Sequence, residues 1–197
     1  HGGSRHGRNG MRTVIWTLSS SSGMKPLIRP CCVHCPTPLF CLYCLGDLYS
    51  AGQSGRGRHR LRARPRPGGQ ALAGHMAGAF ASWGITVVSG MAWGIDKAAH
   101  EAALGRTGSS IAVLGTGIDV PYPRANTRLY DRMAAKGLLV SEFAPGTPAA
   151  GNFHVRNRII SGLSLGVVVV EAASVPGPHH LAVWRWSRGR EVVCPYR

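Results

Sequence analysis

Residues 85–119 read ITVVSGMAWGIDKAAHEAALGRTGSSIAVLGTGID, and this stretch decides the fold. Its two apolar runs, ITVVSG and SIAVLG, are short and rich in Val and Ile, which is typical of buried strands. Between them, DKAAHEAALG consists of good helix formers and ends at a glycine suited to a helix C-cap. A strand, a helix and a second strand in this order predict a parallel βαβ unit.

The same alternation extends in both directions along the chain. The helix-forming run QALAGHMAGAFASWG comes before it, and the helical runs RANTRLYDRMAAKG and RNRIISGLS follow, separated by the strand-like runs LLVSE and GVVVVEAA. REVV near the end could supply one more strand. Strands of near-continuous Val, Ile and Leu that alternate with helices describe a parallel sheet covered on both faces. The sequence therefore predicts an α/β fold with a doubly wound, mostly parallel sheet in a single domain.

The net charge of +15 is unevenly distributed. Residues 1–70 hold eleven Lys and Arg against one acidic residue, whereas residues 71–172 carry a net charge of only +2. A strongly basic balance ordinarily indicates contact with nucleic acid, because Lys and Arg displace the counterions condensed on phosphate. Here most of the excess lies in an alternating run outside the predicted core. This run is either a DNA-binding arm, or a solvated loop or product of a shifted reading frame. The run consists of Arg56, Arg58, Arg60, Arg62, Arg64 and Arg66.

Two further features bear on location and metal binding. No apolar stretch reaches the about 18 residues that a membrane span needs, and no secretion signal is recognisable, so we expect a soluble cytoplasmic protein. Two Cys-x2-Cys pairs, Cys32 with Cys35 and Cys41 with Cys44, are separated by only five residues. That spacing is too short for a usual zinc ribbon or finger. We expect no bound metal and no cofactor.

Three polar segments follow predicted strands or begin predicted helices. They are SGMAWGID at 89–96, GTGID followed by YPRAN at 115–126, and NFHVRNR at 152–158. In an open parallel sheet, ligands bind beyond the carboxyl ends of the strands, where glycines let backbone N–H groups approach an anion. Glycine turns, arginine forks and an aromatic face together suit a sugar-phosphate backbone.

Five linked runs carry a family resemblance: VVSGMAWGIDKAAHEAAL, AVLGTGIDVPYPRAN, LLVSEFAPGTP, NFHVRNRIISGLS and VVVVEAA. In this order and spacing they resemble the DprA/Smf (DNA-processing protein A) family, and PTPLFCLYCLGD resembles its lead-in strand. The resemblance implies an extended Rossmann-like domain over 36–197, best supported over 70–172. Residues 1–35 are expected to be poorly ordered.

The resemblance also implies a function without catalysis. Proteins of this family bind incoming single-stranded DNA in a basic pocket, form dimers, and help to load RecA recombinase in natural transformation. Arg124 would be the phosphate-binding cation, and the segment from Phe153 to Arg158 would form the wall or contact the strand. Carried over residue by residue, the nucleic-acid site comprises Ser89, Gly90, Gly94, Ile95, Asp96, Gly115, Gly117, Tyr122, Pro123, Arg124, Asn126, Phe153, Arg156, Asn157 and Arg158.

Several of these side chains have a structural alternative. Asp96 is expected to cap a helix rather than to act as a catalytic acid. Arg156 and Arg158 could pair with Glu142 or Glu171, and we expect one arginine to do so while the other contacts nucleic acid. His100 has no partner at a spacing typical of catalysis, so we expect it to be a packing or surface residue.

The chain departs from the family at two places. Where relatives carry a strand ending in Gly-Ser-Arg, this chain reads LRA at 61–63, and after Glu171 it reads VPGPHHLAVWRWSR in place of a Ser-Gly-Ser-Leu-like turn and helix. Segments of expected length but foreign composition suggest translation in another reading frame. The hypothesis covers residues 1–35, about 50–66 and about 175–187, and the coding DNA would test it.

One short motif points to a different class of function. PGG at 67–69 resembles the signature of nucleotide phosphoribohydrolases of the LOG or lysine-decarboxylase-like type. The Gly-Thr and downstream Glu that complete that signature are missing, and glycosidic chemistry needs such a carboxylate. We therefore treat the hydrolase as the alternative.

Overall fold

The computed structural model describes residues 12–14, 42–47, 67–107, 109–164, 166–170 and 192–193. The five strands of its main sheet are β1 (Arg12–Val14), β2 (Leu42–Gly46), β3 (Val87–Ser89), β4 (Ser110–Val113) and β5 (Leu138–Ser141). The helices are α1 (Pro67–Ser82), α2 (Ile95–Ala103), α3 (Thr127–Lys136) and α4 (Phe153–Leu163), with a 3-10 turn at Arg124–Asn126. β6 (Val167–Val168) and β7 (Val192–Val193) pair in parallel in a second, two-stranded sheet.

The main sheet has the strand order β1-β2-β5-β4-β3. β3, β4 and β5 are parallel, with Ile111 of β4 opposite Val88 on one side and Leu138 on the other. β2 joins β5 in the antiparallel direction and pairs with β1 in the same way. The predicted α/β fold with a mostly parallel sheet is confirmed.

Side chains of successive strand residues alternate between two helical layers, as the pleat of a strand requires. On one face, Val88, Ile111 and Val113 pack with Ile159 and Ile160 of α4. On the other face, Ala112 and Leu139 pack with residues of α3, and Val87 packs with alanines of α1 and α2. These partners are Leu129, Tyr130, Met133, Ala77, Ala81, Ala99 and Ala103. Helices therefore cover both faces, as a doubly wound sheet requires.

The structure differs from the expected element bounds in a few places. α1 begins at Pro67, since proline suits the first turn of a helix, and α4 begins at Phe153, three residues before the predicted start. Within the expected strand GVVVVEAA, Val167–Val168 forms β6, and residues 171–173 lie outside the described part of the chain. Within residues 1–35, which were expected to be poorly ordered, Arg12–Val14 forms the edge strand β1.

Other expectations fall outside the described residues. They concern the arginine run at 56–66, five of the six cysteines, Glu171 and the segment at about 175–187. Cys44 is described and is buried in β2. Among the described helices, none combines the length and apolar character needed to cross a membrane.

Candidate functional site

Three loops meet at the carboxyl edge of the sheet. They follow β3 (residues 90–94), β4 (114–123) and β5 (142–152), and they lie together because the carboxyl ends of parallel strands share one edge. Hydrogen bonds link all three loops. Asn126, just after the second loop, bonds to Met91 of the first, and Gly117 of the second bonds to Thr147 of the third. The sequence-predicted segments are thus brought to one place.

Arg156 lies beneath this edge with only 2% of its surface exposed. Its Nη1 donates to the carbonyl oxygens of Gly90 (2.8 Å), the residue that follows β3, and of Val113, the last residue of β4. A Cβ added to Gly90 would lie 2.5 Å from Nη2, so the glycine is needed for this close approach. Of the two roles expected for Arg156, wall or strand contact, its burial supports the first. Asn157, also buried, accepts from Arg156 Nε at 3.3 Å.

Arg158 forms an ion pair with Glu142, in which both side chains are largely buried. Burial raises the pKa of Glu142 above its ordinary value, and the guanidinium of Arg158 opposes that rise. This ion pair is one of the alternatives that the sequence left open. One arginine was expected to pair with a glutamate, and Arg158 does so, while Arg156 binds strand-end carbonyls. A nucleic-acid contact by either arginine stays a prediction.

The loop after β3 is held from below by three side chains. Asp96 Oδ2 accepts the N–H groups of Gly90 and Ala92, each at 3.2 Å. His100 Nε2 accepts the N–H of Met91 at 3.4 Å, and Asn126 Nδ2 donates to the Met91 carbonyl at 2.9 Å. These contacts hold the backbone of Met91 in the left-handed region, at φ 59°, a conformation that residues other than glycine rarely adopt.

Two expectations for this loop need correction. Asp96 does not cap α2, because the N-cap is Gly94 and the carboxylate turns back to the preceding loop. The N–H groups of Gly90, Met91 and Ala92 are bonded inside the protein, so they are not the anion donors that the glycine turn suggested. Ser89, Gly94 and Ile95 are buried, and they form the framework of the loop.

His100 is fully buried, as a packing residue would be, but it also connects α2 to the loop. Its Nδ1 lies 2.7 Å from Ser110 Oγ, which donates to the carbonyl of Val87 at 2.9 Å. Because Nε2 accepts from Met91, we assign the ring proton to Nδ1. Burial lowers the pKa of His100 to about 4; Asp96 opposes the shift and Arg156 adds to it. Nothing in the local sequence pattern signals this connection.

The loop after β4 packs tightly against its neighbours through two glycines. A Cβ on Gly115 would lie 2.8 Å from Phe153 Cδ1, and one on Gly117 would lie 2.6 Å from the carbonyl oxygen of Ala144. Asp119 Oδ1 accepts the N–H of Gly146 at 2.7 Å, which fixes the second loop to the third. Both glycines therefore allow the loop after β4 to lie close to its neighbours, Phe153 and Ala144.

The solvent-facing part of this edge carries a cation and aromatic rings. Arg124, in the 3-10 turn that Pro123 caps, is exposed and has no side-chain hydrogen bond or ion pair within the described residues. The ring of Tyr122 is 45% exposed and lies 5.5 Å from that of Phe153, tilted by 34°. Trp93, which is not among the residues predicted from the sequence, is 62% exposed. Asn126 is buried and belongs to the support of the loop.

A row of basic residues leads away from Arg124 along α3. Arg128, Arg132 and Lys136 follow at intervals of four residues, and all are exposed. Among the described residues none forms an ion pair, whereas on α2 Lys97 pairs with Glu101 at 3.9 Å. Like charges spaced by four residues destabilise a helix slightly. This row therefore lowers the stability of α3, and no ion pair among the described residues offsets that loss.

The comparison with known families decides the relationship. The family model of DNA recombination-mediator protein A matches residues 31–196. The chain belongs to this family. The DprA/Smf resemblance found in the sequence is thereby confirmed, and the family's model includes all three loops of the site.

Individual members of the family agree. Protein Smf from Synechocystis sp. is 42% identical over 146 residues, which cover 72% of this chain and 37% of that protein. The X-ray structure of DNA processing protein A from Streptococcus pneumoniae matches with a TM-score of 0.72 and 34% identity, over 81% of this chain and 56% of that one. The chain thus spans about a third of the length of the curated relatives it matches.

A second solved structure supports the fold. The structure of DNA processing protein A from Helicobacter pylori matches with a TM-score of 0.80 and 24% identity. That structure concerns the unique single-stranded DNA binding mode of the Helicobacter pylori protein. The match covers 96% of this chain and 82% of that one. It shows the same mostly parallel architecture.

Proposed function

We propose that this chain is a cytoplasmic single-stranded-DNA-binding protein of the DprA/Smf type, which holds DNA without chemically altering it. The observation that carries the proposal is Arg124, a guanidinium exposed at the carboxyl edge of the sheet with no partner among the described residues. A guanidinium presents a fork of donors that matches a phosphate. The single-stranded DNA binding described for the Helicobacter pylori relative supports the same ligand.

The electrostatics of α3 support a sugar-phosphate ligand. From Arg124 the exposed cations Arg128, Arg132 and Lys136 continue along one side of the helix. At about 1.5 Å of rise per residue, a helix carries such a row over more than a dozen ångströms. A flexible single strand can follow it, and each phosphate contact releases counterions.

The family description supports the larger role. Its members are recombination mediators, so we propose that the bound strand is protected and then handed to RecA recombinase during natural transformation. Formation of a homodimer is part of the same proposal. The phosphoribohydrolase alternative is not favoured, because PGG at 67–69 forms the first turn of α1 and the family match is to a DNA-processing protein.

Binding of short oligo-dT across a salt series tests the proposal. We expect Arg124→Ala to weaken binding roughly tenfold at low salt, since a charge-assisted hydrogen bond contributes about 1.5–3 kcal/mol. The slope of log affinity against log salt should fall by about 0.7, the value for one phosphate contact on a single strand. Arg106→Ala is the matched control, because Arg106 is exposed but bonded to Ala102 and Ser82.

Two results would contradict the proposal. One is an Arg124→Ala variant that melts like the unaltered chain and keeps both its affinity and its salt slope. The other is release of a free base from a nucleoside monophosphate by the unaltered chain, which would restore the hydrolase alternative. An Arg106→Ala variant that loses affinity as strongly as Arg124→Ala would move the binding surface to the opposite edge of the sheet.

A further inference from the structure

Trp93 is an exposed indole that the structure of the chain itself does not explain. It lies in the loop after β3, and 62% of its surface is accessible. Tryptophan is highly buried on average, because its large apolar surface is unfavourable in water. Among the described residues its ring has no aromatic neighbour, and its N–H has no acceptor. Most of the indole surface is therefore accessible to a ligand.

The backbone on both sides of Trp93 is fixed. The N–H of Ala92 is bonded to Asp96, and the carbonyl of Gly94 accepts the N–H of Ala98 at 2.9 Å, as the N-cap of α2. Gly94 itself has φ 94°, a conformation open to glycine. Because this backbone is already ordered, a ligand that packs on the ring restricts only the side-chain torsions, which favours binding.

Trp83 provides an internal comparison. It is 72% exposed, but it follows α1 at the amino edge of the sheet, where its ring lies 5.9 Å from that of Phe80 in an edge-to-face arrangement of 70°. Trp83 thus has a partner on its own helix. Trp93 lies at the carboxyl edge, the edge that also presents Arg124 and Tyr122.

We propose that Trp93 stacks on an unpaired nucleobase of the strand whose phosphate Arg124 holds; this inference rests on the proposed function. Every base has a π-face, so stacking on an indole tolerates any sequence. A base inside a duplex is already stacked on both sides and does not offer that face. Trp93 therefore makes the site selective for single strands, while Arg124 and the row on α3 recognise only charge.

The test uses the full chain and three ligands: oligo-dT, an abasic oligonucleotide with the same number of phosphates, and a duplex of the same length. Trp93→Ala should weaken oligo-dT binding roughly tenfold to a hundredfold, within the range measured for base stacking on aromatic side chains. The salt slope should stay unchanged, because no phosphate contact is lost. Affinity for the abasic strand and for the duplex should remain that of the unaltered chain.

Two variants serve as controls. Trp93→Phe keeps an aromatic face and should restore most of the oligo-dT affinity, whereas Trp83→Ala should bind all three ligands as the unaltered chain does. Thermal melts of each variant show whether the fold is retained.

The outcomes separate this inference from the proposed function. If Trp93→Ala binds oligo-dT as tightly as the unaltered chain while Arg124→Ala does not, stacking is wrong and the binding function stands. If Trp93→Ala weakens the abasic strand as much as oligo-dT, Trp93 supports the loop and does not contact a base. If the unaltered chain fails to bind oligo-dT at low salt, the proposed function is overturned and the stacking role with it.

Discussion

The two edges of the sheet use the same residue types in opposite ways. At the amino edge, Arg106 donates to the carbonyl of Ala102 at 2.7 Å and to the hydroxyl of Ser82 at 2.6 Å, and Trp83 packs against Phe80. At the carboxyl edge, the exposed Arg124 and Trp93 have no such partners among the residues that the structure describes.

The difference supports the proposal that a ligand binds at the carboxyl edge. The carboxyl edge does contain many internal bonds, but they are made from below by the buried side chains of Arg156, Asp96 and His100. These three hold the loops in place beneath the exposed Arg124 and Trp93. At the amino edge, by contrast, the exposed Arg106 is itself part of the internal network.

Removing the buried support should produce the largest effect on folding. Arg156→Ala leaves the carbonyls of Gly90 and Val113 without their donor and opens a cavity, so we expect a loss of about 3–5 kcal/mol in the free energy of unfolding. Arg106→Ala, at the exposed amino edge, should cost less than about 1 kcal/mol. Urea unfolding of both variants measures the contrast. Equal losses would show that the two arginines have similar structural roles.

The buried histidine predicts a pH dependence. The pKa of His100 is lowered from 6.5 to about 4, so between those values the unfolded chain takes up a proton that the folded chain does not. Stability should therefore be full above pH 6.5 and fall by about 3 kcal/mol as the pH drops to 4, with little further change from this group below that.

A non-titrating side chain isolates that contribution. His100→Gln should reduce the loss in the free energy of unfolding between pH 6.5 and 4, whatever the stability of the variant at neutral pH. Denaturant melts at a series of pH values measure the slope. If the unaltered chain and the variant lose stability in parallel over this window, His100 is not held neutral in the fold.

A glycine substitution tests the packing of the second loop. A Cβ at position 115 would lie 2.8 Å from the Phe153 ring, so we expect Gly115→Ala to cost about 1–3 kcal/mol through overpacking. Gly68→Ala is the control, because no atom lies within 4 Å of the added Cβ, and it should not destabilise the chain. Thermal unfolding of the two variants would disprove this account of the loop if both melt at the same temperature.

The smallest effect is expected at the amino edge. The hydroxyl of Thr86 is buried and has no hydrogen-bond partner within the described part of the chain, so Thr86→Val should be neutral or stabilising by up to about 1 kcal/mol. Ser110→Ala removes a hydroxyl bonded to both His100 and Val87 and should cost about 1–3 kcal/mol. A Thr86→Val variant as unstable as Ser110→Ala would indicate that Thr86 has a partner in solution.

The layered fold could be predicted from sequence because its signals are local. Strand runs such as IAVL, at 111–114, are apolar throughout because both faces of the sheet are covered. The turn residues that bound each run lie only a few positions away in the sequence. The pairing of Arg158 with Glu142 was also foreseen as an alternative. What could not be predicted was the burial of Arg156, whose carbonyl partners lie 66 and 43 residues away along the chain.

The same reason explains the error at Asp96. An acidic residue at the start of a helix ordinarily indicates a cap, but here the tight turn from Gly90 to Gly94 brings two earlier N–H groups to its carboxylate. That choice depends on the three-dimensional path of the loop. The pattern of residue types does not contain it.

The double attachment of Met91 has a consequence for how a strand is gripped. Asn126 lies two residues after Arg124, and its amide holds the carbonyl of Met91, two residues before Trp93. The backbone segments that carry the guanidinium and the indole are therefore joined by a hydrogen bond. Under the proposed binding mode, a strand that contacts both side chains would be constrained in position, because the phosphate bound by Arg124 limits which base can reach the ring. That constraint depends on spacing along the strand and does not depend on base identity.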